Sequence, residues 1–348
     1  MNAYINKINS LLRNPYPRKN IFQIVKEVSI LSLKHRKLPR YYIEKFIYRK
    51  DSGKYTDYLS PREANEVRFS PKLHRIEYLT LLKNKLASAL YFERCNLPIP
   101  LLTSYNIKGL FFADGIRIKV DDKLKLLNFF SQIMLKNGKN SLFLKDMAES
   151  GGVGCYLLTV ENLENIISEI TPKILKGSFI HQETIKQHPN ISRIYAASLN
   201  TLRFETFIDQ KEKLHIVCVY MRFGMKGNFV DNAFSGGLYV GINPETGIFH
   251  EKGYQNYKGL SGGMCFYEHP DTGFVFKDQH IPYFKEACAL VLKCSEFVPD
   301  RYLGWDIAIS KNGPVLIEGN GSPYLAEVPY GGYRNHKLAK EILTELNL

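Results

Sequence analysis

The sequence predicts an α+β protein with largely antiparallel sheets, preceded by a basic helical region at the N-terminus. Two observations predict this fold class. Short strand-like runs separated by turns dominate the chain from residue 141 onward. Only a few stretches with helical spacing lie between those runs, which is typical of α+β proteins and argues against a doubly wound parallel sheet.

Length and composition set the size and class of the protein. The 348 residues are enough for two or three domains, and 45% hydrophobic with 23% charged residues is an ordinary globular composition. We expect a basic helical N-terminal region, the first part of a core, a subdomain with a glycine-rich loop and a C-terminal subdomain. These parts should occupy residues 1–70, 71–124, 125–182 and 183–348.

The net charge indicates which kinds of partner the protein binds. Lys and Arg outnumber Asp and Glu by 47 to 34, a formal net charge of +13. This excess favours nucleotide phosphates, nucleic acid, acidic sugars or an anionic membrane face. The chain has no run of 18 apolar residues, no apolar N-terminal leader and no C-x-x-C pair. We therefore expect a cytoplasmic protein with reduced thiols and no membrane span.

The individual elements follow from apolar spacing and from turn residues. Helical spacing predicts helices over 21–33, over 82–96 (ended by Leu97-Pro98-Ile99-Pro100) and over 123–137. Later helical patterns occur at 161–169, 282–297 and 335–346. Strands are predicted at 141–145, 155–159, 178–183, 202–208, 214–222, 238–242, 304–309 and 314–318.

The stretch from Gly304 to Asn320 predicts a β-hairpin, because two strand-like runs flank an Asn312-Gly313 pair. The length of the turn decides which side chains share a face. A two-residue loop at Asn312 and Gly313 would place Asp306 among aliphatic side chains. A three-residue loop from Lys311 to Gly313 pairs Ser310 with Pro314 and separates acidic from aliphatic residues, so the alternation favours it.

In this second register Asp306 lies directly opposite Glu318, and Asn320 shares their face. The other face is aliphatic and consists of Ile307, Ile309, Val315 and Ile317. Two facing carboxylates repel each other unless a cation lies between them. Carboxylate and amide oxygens are ligands that Mg²⁺ prefers, so the hairpin predicts a magnesium site at Asp306, Glu318 and Asn320.

A glycine-rich loop lies between the predicted strands 141–145 and 155–159. It contains Gly151, Gly152 and Gly154, and Lys145 precedes it. The backbone N–H groups of such a loop can bind phosphate oxygens, and a lysine adds positive charge. An ordinary glycine-rich hairpin turn has the same pattern, so the loop by itself leaves both interpretations open.

The order of these features resembles the ATP-grasp superfamily. Lys145, the strand–glycine–strand segment and the hairpin motif Asp306-x11-Glu318-x-Asn320 follow one another as they do in those enzymes. Three further stretches resemble the helix start, the hinge strand and the first catalytic strand of that fold: Asn84-Lys85, Phe179 to Thr184 and Ser198 to Arg203.

A narrower resemblance is to the sugar-transfer-associated ATP-grasp family, whose members accompany surface-polysaccharide genes. Three stretches carry it, namely Val-Asp-Asn-Ala-Phe-Ser-Gly-Gly at 230–237, His-Ile-Pro-Tyr at 280–283 and Gly-Trp-Asp at 304–306. The resemblance covers roughly residues 84–325. It implies an ATP-grasp fold in which two α+β subdomains clamp ATP, with ATP and Mg²⁺ as cofactors.

The resemblance also implies a role for each matching residue. Asp306, Glu318 and Asn320 would hold one or two Mg²⁺ ions. Arg203 and Arg222 would steady the transferring phosphoryl group or an oxyanion, and a structural ion pair is the alternative for either of them. ATP would be bound by Lys85, Lys145, Gly151, Gly152, Gly154, Gln182 and Glu183. The acceptor would be faced by the catalytic Asn232 together with Gly236 and Gly237.

The implied function is a carboxylate–amine ligase that forms an amide through an acyl phosphate. Its partners would be a small carboxylate and an amine, with a sugar or uronic acid, free or linked to a nucleotide or lipid, in bacterial capsule or other surface polysaccharide biosynthesis. One alternative is a kinase that acts on a small hydroxyl substrate. Another is a basic protein that binds nucleic acid or a membrane surface through residues 34–50, where Lys and Arg alternate with Tyr. We expect no nucleic-acid partner, and peripheral membrane contact stays open.

Overall fold

The structure is a computed structural model that describes residues 17–149, 154–229, 231, 236–258 and 261–348. The helices within these ranges are α1 (Ile21–His35), α2 (Tyr41–Glu44), α3 (Pro61–Phe69), α4 (Ile76–Lys83), α5 (Lys85–Arg94), α6 (Lys123–Lys136), α7 (Leu163–Lys176), α8 (Pro189–Ser192), α9 (Phe284–Phe297) and α10 (Ala339–Glu345). Short 3-10 helices occur at Tyr55–Asp57, Val328–Tyr330 and Tyr333–Asn335.

The strands of the same ranges form two large antiparallel sheets and one short pair. They are β1 (Leu102–Ile107), β2 (Leu110–Ala113), β3 (Ile116–Lys119), β4 (Ser141–Asp146), β5 (Cys155–Thr159), β6 (Ser178–Glu183), β7 (Thr201–Ile208), β8 (Leu214–Phe223), β9 (Leu238–Ile242), β10 (Phe249–Tyr254), β11 (Tyr257–Lys258), β12 (Ser261–Gly262), β13 (Cys265–Phe266), β14 (Tyr302–Ser310) and β15 (Gly313–Asn320).

The first sheet has the strand order β3-β2-β1-β6-β4-β5, and every neighbouring pair is antiparallel. Helices α6 and α7 pack against it, because each has an apolar face. Phe111 of β2, Phe130 of α6 and Ile170 of α7 all belong to one buried cluster. The domain boundary that the sequence predicts near residue 125 falls between Val120 and Leu126, which both belong to this cluster.

Strands β1 to β3 are missing from the sequence prediction, and buried polar residues in β1 explain the omission. Thr103, Ser104 and Asn106 are buried there, so the strand lacks an apolar alternation. Ser104 Oγ lies 2.8 Å from Nδ1 of His181, and Asn106 Oδ1 lies 3.1 Å from its Nε2. The hydrogen bonds between the polar side chains of β1 and β6 offset the cost of burying these groups.

The second sheet has the order β13-β10-β9-β8-β7-β14-β15 and is also antiparallel throughout. One of its faces packs against α5 and α9. The ring of Trp305 in β14 lies 6.2 Å from that of Phe92 in α5, and Ala287 of α9 belongs to the same buried cluster. The other face carries the polar residues Arg203 and Asp306 and looks toward the first sheet.

The strands predicted from residue 141 onward are all present, with ends within two residues of the prediction. The helix predictions at 21–33, 123–137 and 282–297 are confirmed as α1, α6 and α9. Helix α7 continues to Lys176, past the predicted end at 169. The single helix predicted over 82–96 is instead the pair α4 and α5, which meet at Asn84.

The turn of the β14–β15 hairpin differs from the prediction. Ser310 pairs with Gly313, so the loop has the two residues Lys311 and Asn312. The expected three-residue loop, with Ser310 paired to Pro314, is therefore wrong. The left-handed Gly313, with a φ of 118°, supplies the backbone conformation that ends this shorter turn.

A bulge restores the predicted pairing of the two carboxylates. Ile307 pairs with Leu316, whereas Asp306 pairs with Glu318, so Ile317 is an extra residue in β15. The prediction that Asp306 lies opposite Glu318 is confirmed, although the route to it is different. A short turn with a bulge and a longer turn without one give the same alternation of polar and apolar residues, so the sequence does not distinguish them.

The shorter turn also changes the aliphatic face of the hairpin. Ile307 and Ile309 are buried in the core as predicted, but Leu316 joins them there. The prediction that Val315 and Ile317 share that face is wrong, because both are only half-buried and Ile317 lines the cavity described below.

The basic N-terminal region packs its aromatic residues inward. Tyr42, Phe46 and Tyr48 are buried in one cluster with residues of α1. Arg49 is also buried and donates two hydrogen bonds to the carboxylate of Asp51, at 2.8 and 2.7 Å. Stacking on nucleic-acid bases needs exposed aromatic faces, so this burial removes the main argument for a nucleic-acid binder.

Within the described ranges, no helix combines the length and the apolar character that crossing a membrane requires.

Candidate active site

A cavity of about 780 Å³ lies between the two sheets. The first sheet contributes Lys145 and Gln182 to its walls, α5 contributes Lys85, and the second sheet contributes the arginines and acidic residues of β7, β8, β14 and β15. The structure thus brings together most of the residues that the sequence singled out. They are Lys85, Lys145, Gln182, Glu183, Arg203, Arg222, Asp306, Glu318 and Asn320.

Asp306 is the most strongly held acidic group in this cavity. Its Oδ1 accepts a hydrogen bond from Arg203 Nε at 2.5 Å, and its Oδ2 accepts one from Arg203 Nη2 at 3.0 Å. Arg222 Nη2 lies 3.0 Å from the same Oδ2. Burial raises the pKa of Asp306, but the two guanidinium groups outweigh burial and hold that pKa at about 2.

Arg222 connects this cluster to a second buried acid. Its Nη2 donates a 2.6 Å hydrogen bond to Thr201 Oγ1, and its Nε lies 3.6 Å from Asp231 Oδ2. Asp231 also accepts hydrogen bonds from the backbone and the hydroxyl of Thr201. Neither Arg203 nor Arg222 is a free cation, because Asp306 neutralises both in part.

Glu318 and Asn320 supply the oxygens that remain for a metal ion. Glu318 lies across the ladder from Asp306 and 3.8 Å from Lys85 Nζ, and its side chain is half-exposed to the cavity. The hard oxygens of the three side chains fit Mg²⁺. Arg203 and Arg222 use three of the roughly four lone-pair directions of Asp306, and Asn320 Nδ2 donates to its Oδ2 at 3.4 Å. Glu318 and the amide oxygen of Asn320 are therefore the more available metal ligands.

Among the described residues, no group of three His, Cys, Asp or Glu side chains forms a metal cluster. An ion held by Glu318, Asn320 and one oxygen of Asp306 would therefore complete its coordination with water or phosphate. Mg²⁺ usually retains several waters and binds substrate phosphates in this way.

Lys145 is the clearest candidate for binding phosphate. Its side chain is half-buried, and it has no carboxylate within 4 Å in the part of the chain that the structure describes. Burial lowers the pKa of Lys145, and Glu318 offsets that effect only in part. An ammonium group without a counter-charge at the wall of a cavity favours an anionic ligand.

Gln182 and Glu183 end strand β6 at the same wall of the cavity, but their side chains differ in which oxygen atoms already have partners. Gln182 Nε2 donates to the carbonyl of Pro100 at 3.3 Å, while its buried Oε1 has no hydrogen-bond partner. Glu183 is occupied, because Oε1 accepts from Leu101 N at 3.1 Å and Oε2 lies 2.5 Å from Lys139 Nζ. Gln182 therefore has an acceptor oxygen without a partner among the described residues, whereas each oxygen of Glu183 already has one partner.

Several cavity residues lie outside the motifs from which the sequence predicted the site. Arg68 comes from α3 in the N-terminal region, and Tyr220, Tyr239 and Tyr324 come from the second sheet and the segment after it. The strand alternation of Tyr220 with Arg222 could have indicated one of them, since residues two apart share a face. Arg68 could be found only through the tertiary structure.

Part of the predicted site lies outside the described residues, namely Gly151, Gly152 and Asn232. Gly154 is described and has a left-handed φ of 69°. A Cβ atom at Gly154 would come within 2.8 Å of Asp146 Cβ, so this position requires glycine. Gly236 accepts a 2.8 Å hydrogen bond from Gln255 Nε2 through its carbonyl oxygen, and Gly237 is buried.

Solved structures with similar architecture share little sequence with this chain. D-alanyl-alanine synthetase A from Vibrio cholerae is 13% identical over 79% of this chain and 66% of its own, with a TM-score of 0.46. D-alanine–D-alanine ligase from Bacillus anthracis is 12% identical over 84% and 77%, with a TM-score of 0.45. The ligase PsnB with minimal precursor, Mg and ADP is 12% identical over 84% and 62%, with a TM-score of 0.39.

This chain spans slightly less than two thirds of the Vibrio cholerae enzyme. No curated protein matches it.

The sequence model of the sugar-transfer associated ATP-grasp family matches residues 66–338. The two antiparallel α+β halves that enclose the cavity are the ATP-grasp fold, and proteins with this fold are typically ATP-dependent ligases. Because the match covers most of its length, the chain belongs to the sugar-transfer associated ATP-grasp family.

Proposed function

We propose that the protein is an ATP- and Mg²⁺-dependent ligase that joins a carboxylate to an amine with formation of ADP. One observation carries the proposal. A single cavity between the sheets is lined by Lys85 and Lys145 on one side and by Asp306, Glu318 and Asn320 on the other. Phosphoryl transfer depends mainly on positioning and charge neutralisation, and these groups supply both.

ATP would lie along the wall formed by the first sheet. The ammonium of Lys145 makes no ion pair within 4 Å among the described residues and would pair with phosphate oxygens. The unpartnered Oε1 of Gln182 would accept a hydrogen bond from the exocyclic amine of adenine. Lys85, whose Nζ donates to the carbonyl of Glu149, would add a second positive charge near the phosphates.

The second sheet would bind the metal and stabilise the developing negative charge. Glu318, Asn320 and Asp306 would hold Mg²⁺, which bridges phosphate oxygens and neutralises charge in such sites. Arg203 and Arg222 keep Asp306 ionised and fixed in position. Their remaining N–H groups would stabilise the oxygens of the transferring phosphoryl group or of a tetrahedral intermediate.

The chemistry balances without a nucleophilic side chain. A carboxylate oxygen of the acid attacks the γ-phosphorus of ATP, and the bond to the β–γ bridging oxygen breaks to release ADP. The amine nitrogen then attacks the acyl carbon, inorganic phosphate leaves with the C–O electron pair, and the amine loses its proton. The family's association with sugar transfer and the net charge of +13 support an acidic sugar or uronic acid as one substrate in surface-polysaccharide synthesis.

The test is a turnover assay with the full chain, ATP, Mg²⁺ and a panel of acid–amine pairs, in which ADP and amide are both measured. We expect Asp306→Ala and Glu318→Ala each to lower turnover by at least about 100-fold, because each removes a charge that the transition state needs. Glu286→Ala, at an exposed position of α9, is the matched control and should leave turnover unchanged.

Turnover by both cavity variants at the wild-type rate would overturn the metal assignment. A phosphorylated product without amide would identify a kinase on the same nucleotide site. Binding of oligonucleotides with steep salt dependence and no binding of ATP would support the basic-binder alternative.

A further inference from the structure

Four side chains of the cavity lining come from α3, from the second sheet and from the segment after it, and we call them the acceptor end: Arg68, Tyr220, Tyr239 and Tyr324. Arg68 is anchored there, because its Nε donates to the carbonyl of Pro323 at 3.0 Å and its Nη2 to that of Ser322 at 3.2 Å. These two carbonyls belong to the segment that follows the hairpin strand β15.

The tyrosines of the acceptor end contact one another. Tyr220 donates to the carbonyl of Tyr324 at 3.4 Å, and its ring lies 5.8 Å from that of Tyr239 in an edge-to-face arrangement. Tyr239 is buried, and its hydroxyl has no hydrogen-bond partner among the residues that the structure describes. Burial raises the pKa of Tyr239, so this hydroxyl keeps its proton and remains a donor at neutral pH.

Arg68 makes no ion pair within 4 Å among the described residues, and the acid that acts on its charge is the fully buried Glu205. Its hydrogen bonds go to neutral carbonyls. Arg203 and Arg222 differ from it, because both are bound to Asp306. Arg68 is half-buried, and a partly desolvated guanidinium without an ion pair favours a ligand of opposite charge.

ATP does not account for this charge. Lys145 and Lys85 already face the phosphates from the nucleotide wall, whereas Arg68 lies with the tyrosines on the second sheet. Two groups with unused hydrogen-bond donors therefore line the acceptor end, the guanidinium of Arg68 and the hydroxyl of Tyr239. Both are suited to the oxygens of an anion.

We propose that Arg68 and Tyr239 bind a carboxylate of the acid substrate, which makes the N-terminal region part of the substrate site. The proposal rests on the ligase function above and adds to it the place and the charge of one substrate. The guanidinium binds two carboxylate oxygens, and the phenol donates a hydrogen bond to the same group. The hydroxyl oxygens of Tyr220 and Tyr239 can accept hydrogen bonds from a polyhydroxylated ring, so an acidic sugar fits the site better than a short aliphatic acid.

The test measures binding of D-glucuronate and D-galacturonate to the full chain, with D-glucose and D-galactose as the matched neutral sugars. Titrations are followed by thermal shift in the presence of Mg²⁺ and the non-hydrolysable ATP analogue AMP-PNP. We expect at least one uronate to bind wild type while its neutral partner does not. Arg68→Gln should weaken that uronate by about 10- to 100-fold, and Tyr239→Phe by about 3- to 10-fold.

Arg62→Gln, an exposed change on the same helix, is the matched control and should bind the uronate as wild type does. Affinity for AMP-PNP should stay unchanged in every variant, which shows that each one is folded. Arg68→Lys keeps the charge and should fall between wild type and Arg68→Gln.

The proposal is overturned if neither uronate binds better than its neutral sugar, or if Arg68→Gln binds the uronate as wild type does. Failure of the ligase function has a different signature. In that case AMP-PNP with Mg²⁺ does not bind wild type at all, whether or not the uronate does.

Discussion

Glu205 is a carboxyl group completely enclosed by protein, two residues after Arg203 on the same strand. Its Oε2 accepts a 2.6 Å hydrogen bond from the hydroxyl of Tyr302, and its Oε1 accepts one from Ala326 N at 3.1 Å. Burial raises the pKa of Glu205 to about 7, although Tyr302 and Arg203 act in the opposite direction. This carboxyl group is therefore protonated in the folded state over part of the physiological pH range.

The raised pKa predicts a pH-dependent stability. Between about pH 4.5 and 7 the folded state holds a proton on Glu205 that the unfolded chain has lost, so the free energy of unfolding falls as pH rises. The contribution of this group should drop by roughly 3 kcal/mol across that window. Thermal unfolding of Glu205→Gln from pH 4.5 to 8 should lack this part of the slope. Glu286→Gln at the surface should retain it, and equal slopes in all three proteins would contradict the prediction.

At the scale of elements, the break between α4 and α5 positions a cavity residue. Asn84 Oδ1 accepts hydrogen bonds from Leu86 N and Ala87 N, both at 3.0 Å, and so caps α5. Lys85 is the first residue of that helix and points into the cavity. The cap explains why one apolar-periodic segment folds as two helices, since a capping asparagine favours a new helix start.

Removing this cap should affect both stability and nucleotide binding. We expect Asn84→Ala to lower the free energy of unfolding by about 1 kcal/mol and to weaken AMP-PNP binding, because Lys85 loses its fixed position. Asp122→Ala removes the equivalent cap of α6, where Oδ1 accepts from Lys125 N at 2.8 Å, away from the cavity. It should lower stability similarly without changing AMP-PNP affinity, as measured by denaturant unfolding and calorimetry. Equal AMP-PNP affinities in the two variants would disprove the positioning role of the cap.

At the scale of the whole molecule, Lys85 of α5 links the two walls of the cavity. Its Nζ donates to the carbonyl of Glu149, which follows strand β4 of the first sheet, and lies 3.8 Å from Glu318 Oε1 on the second sheet. A ligand that binds both walls adds further contacts between the sheets.

We predict that AMP-PNP with Mg²⁺ stabilises the chain through both walls at once. A ligand at 100 times its dissociation constant should add about 2.7 kcal/mol to the free energy of unfolding. Lys145→Met should weaken AMP-PNP by about 10- to 100-fold. The same change should leave the unliganded protein at least as stable as wild type. Burial lowers the pKa of Lys145, which means that the charged ammonium is unfavourable at this position without a ligand.

Lys123→Met, at an exposed position of α6, is the control for that experiment and should match wild type in both measurements. Thermal unfolding with and without AMP-PNP and Mg²⁺ provides both quantities. A loss of unliganded stability in Lys145→Met, together with unchanged AMP-PNP affinity, would show that Lys145 is a structural residue.

The sequence by itself determined the fold class, strands β4 to β9, β14 and β15, and the carboxylate pair of Asp306 and Glu318, but it missed strands β10 to β13. Period-two alternation and turn residues are local signals, and they survive in the amino-acid sequence. The same signals failed for the polar strand β1 and for the bulge at Ile317. In both cases the missing information is a contact with another strand, which local spacing does not contain.

Only the tertiary structure decided how the candidate site is assembled. It placed Arg203 and Arg222 on Asp306, engaged Glu183 with Lys139, and brought Arg68 from the N-terminal region to the cavity. The two partners in each of these pairs are far apart in the sequence, and Arg68 is likewise far in sequence from the strands of the second sheet. Charge pairing over such separations depends on where packing brings the strands, and this is why the sequence named the acids but not their partners.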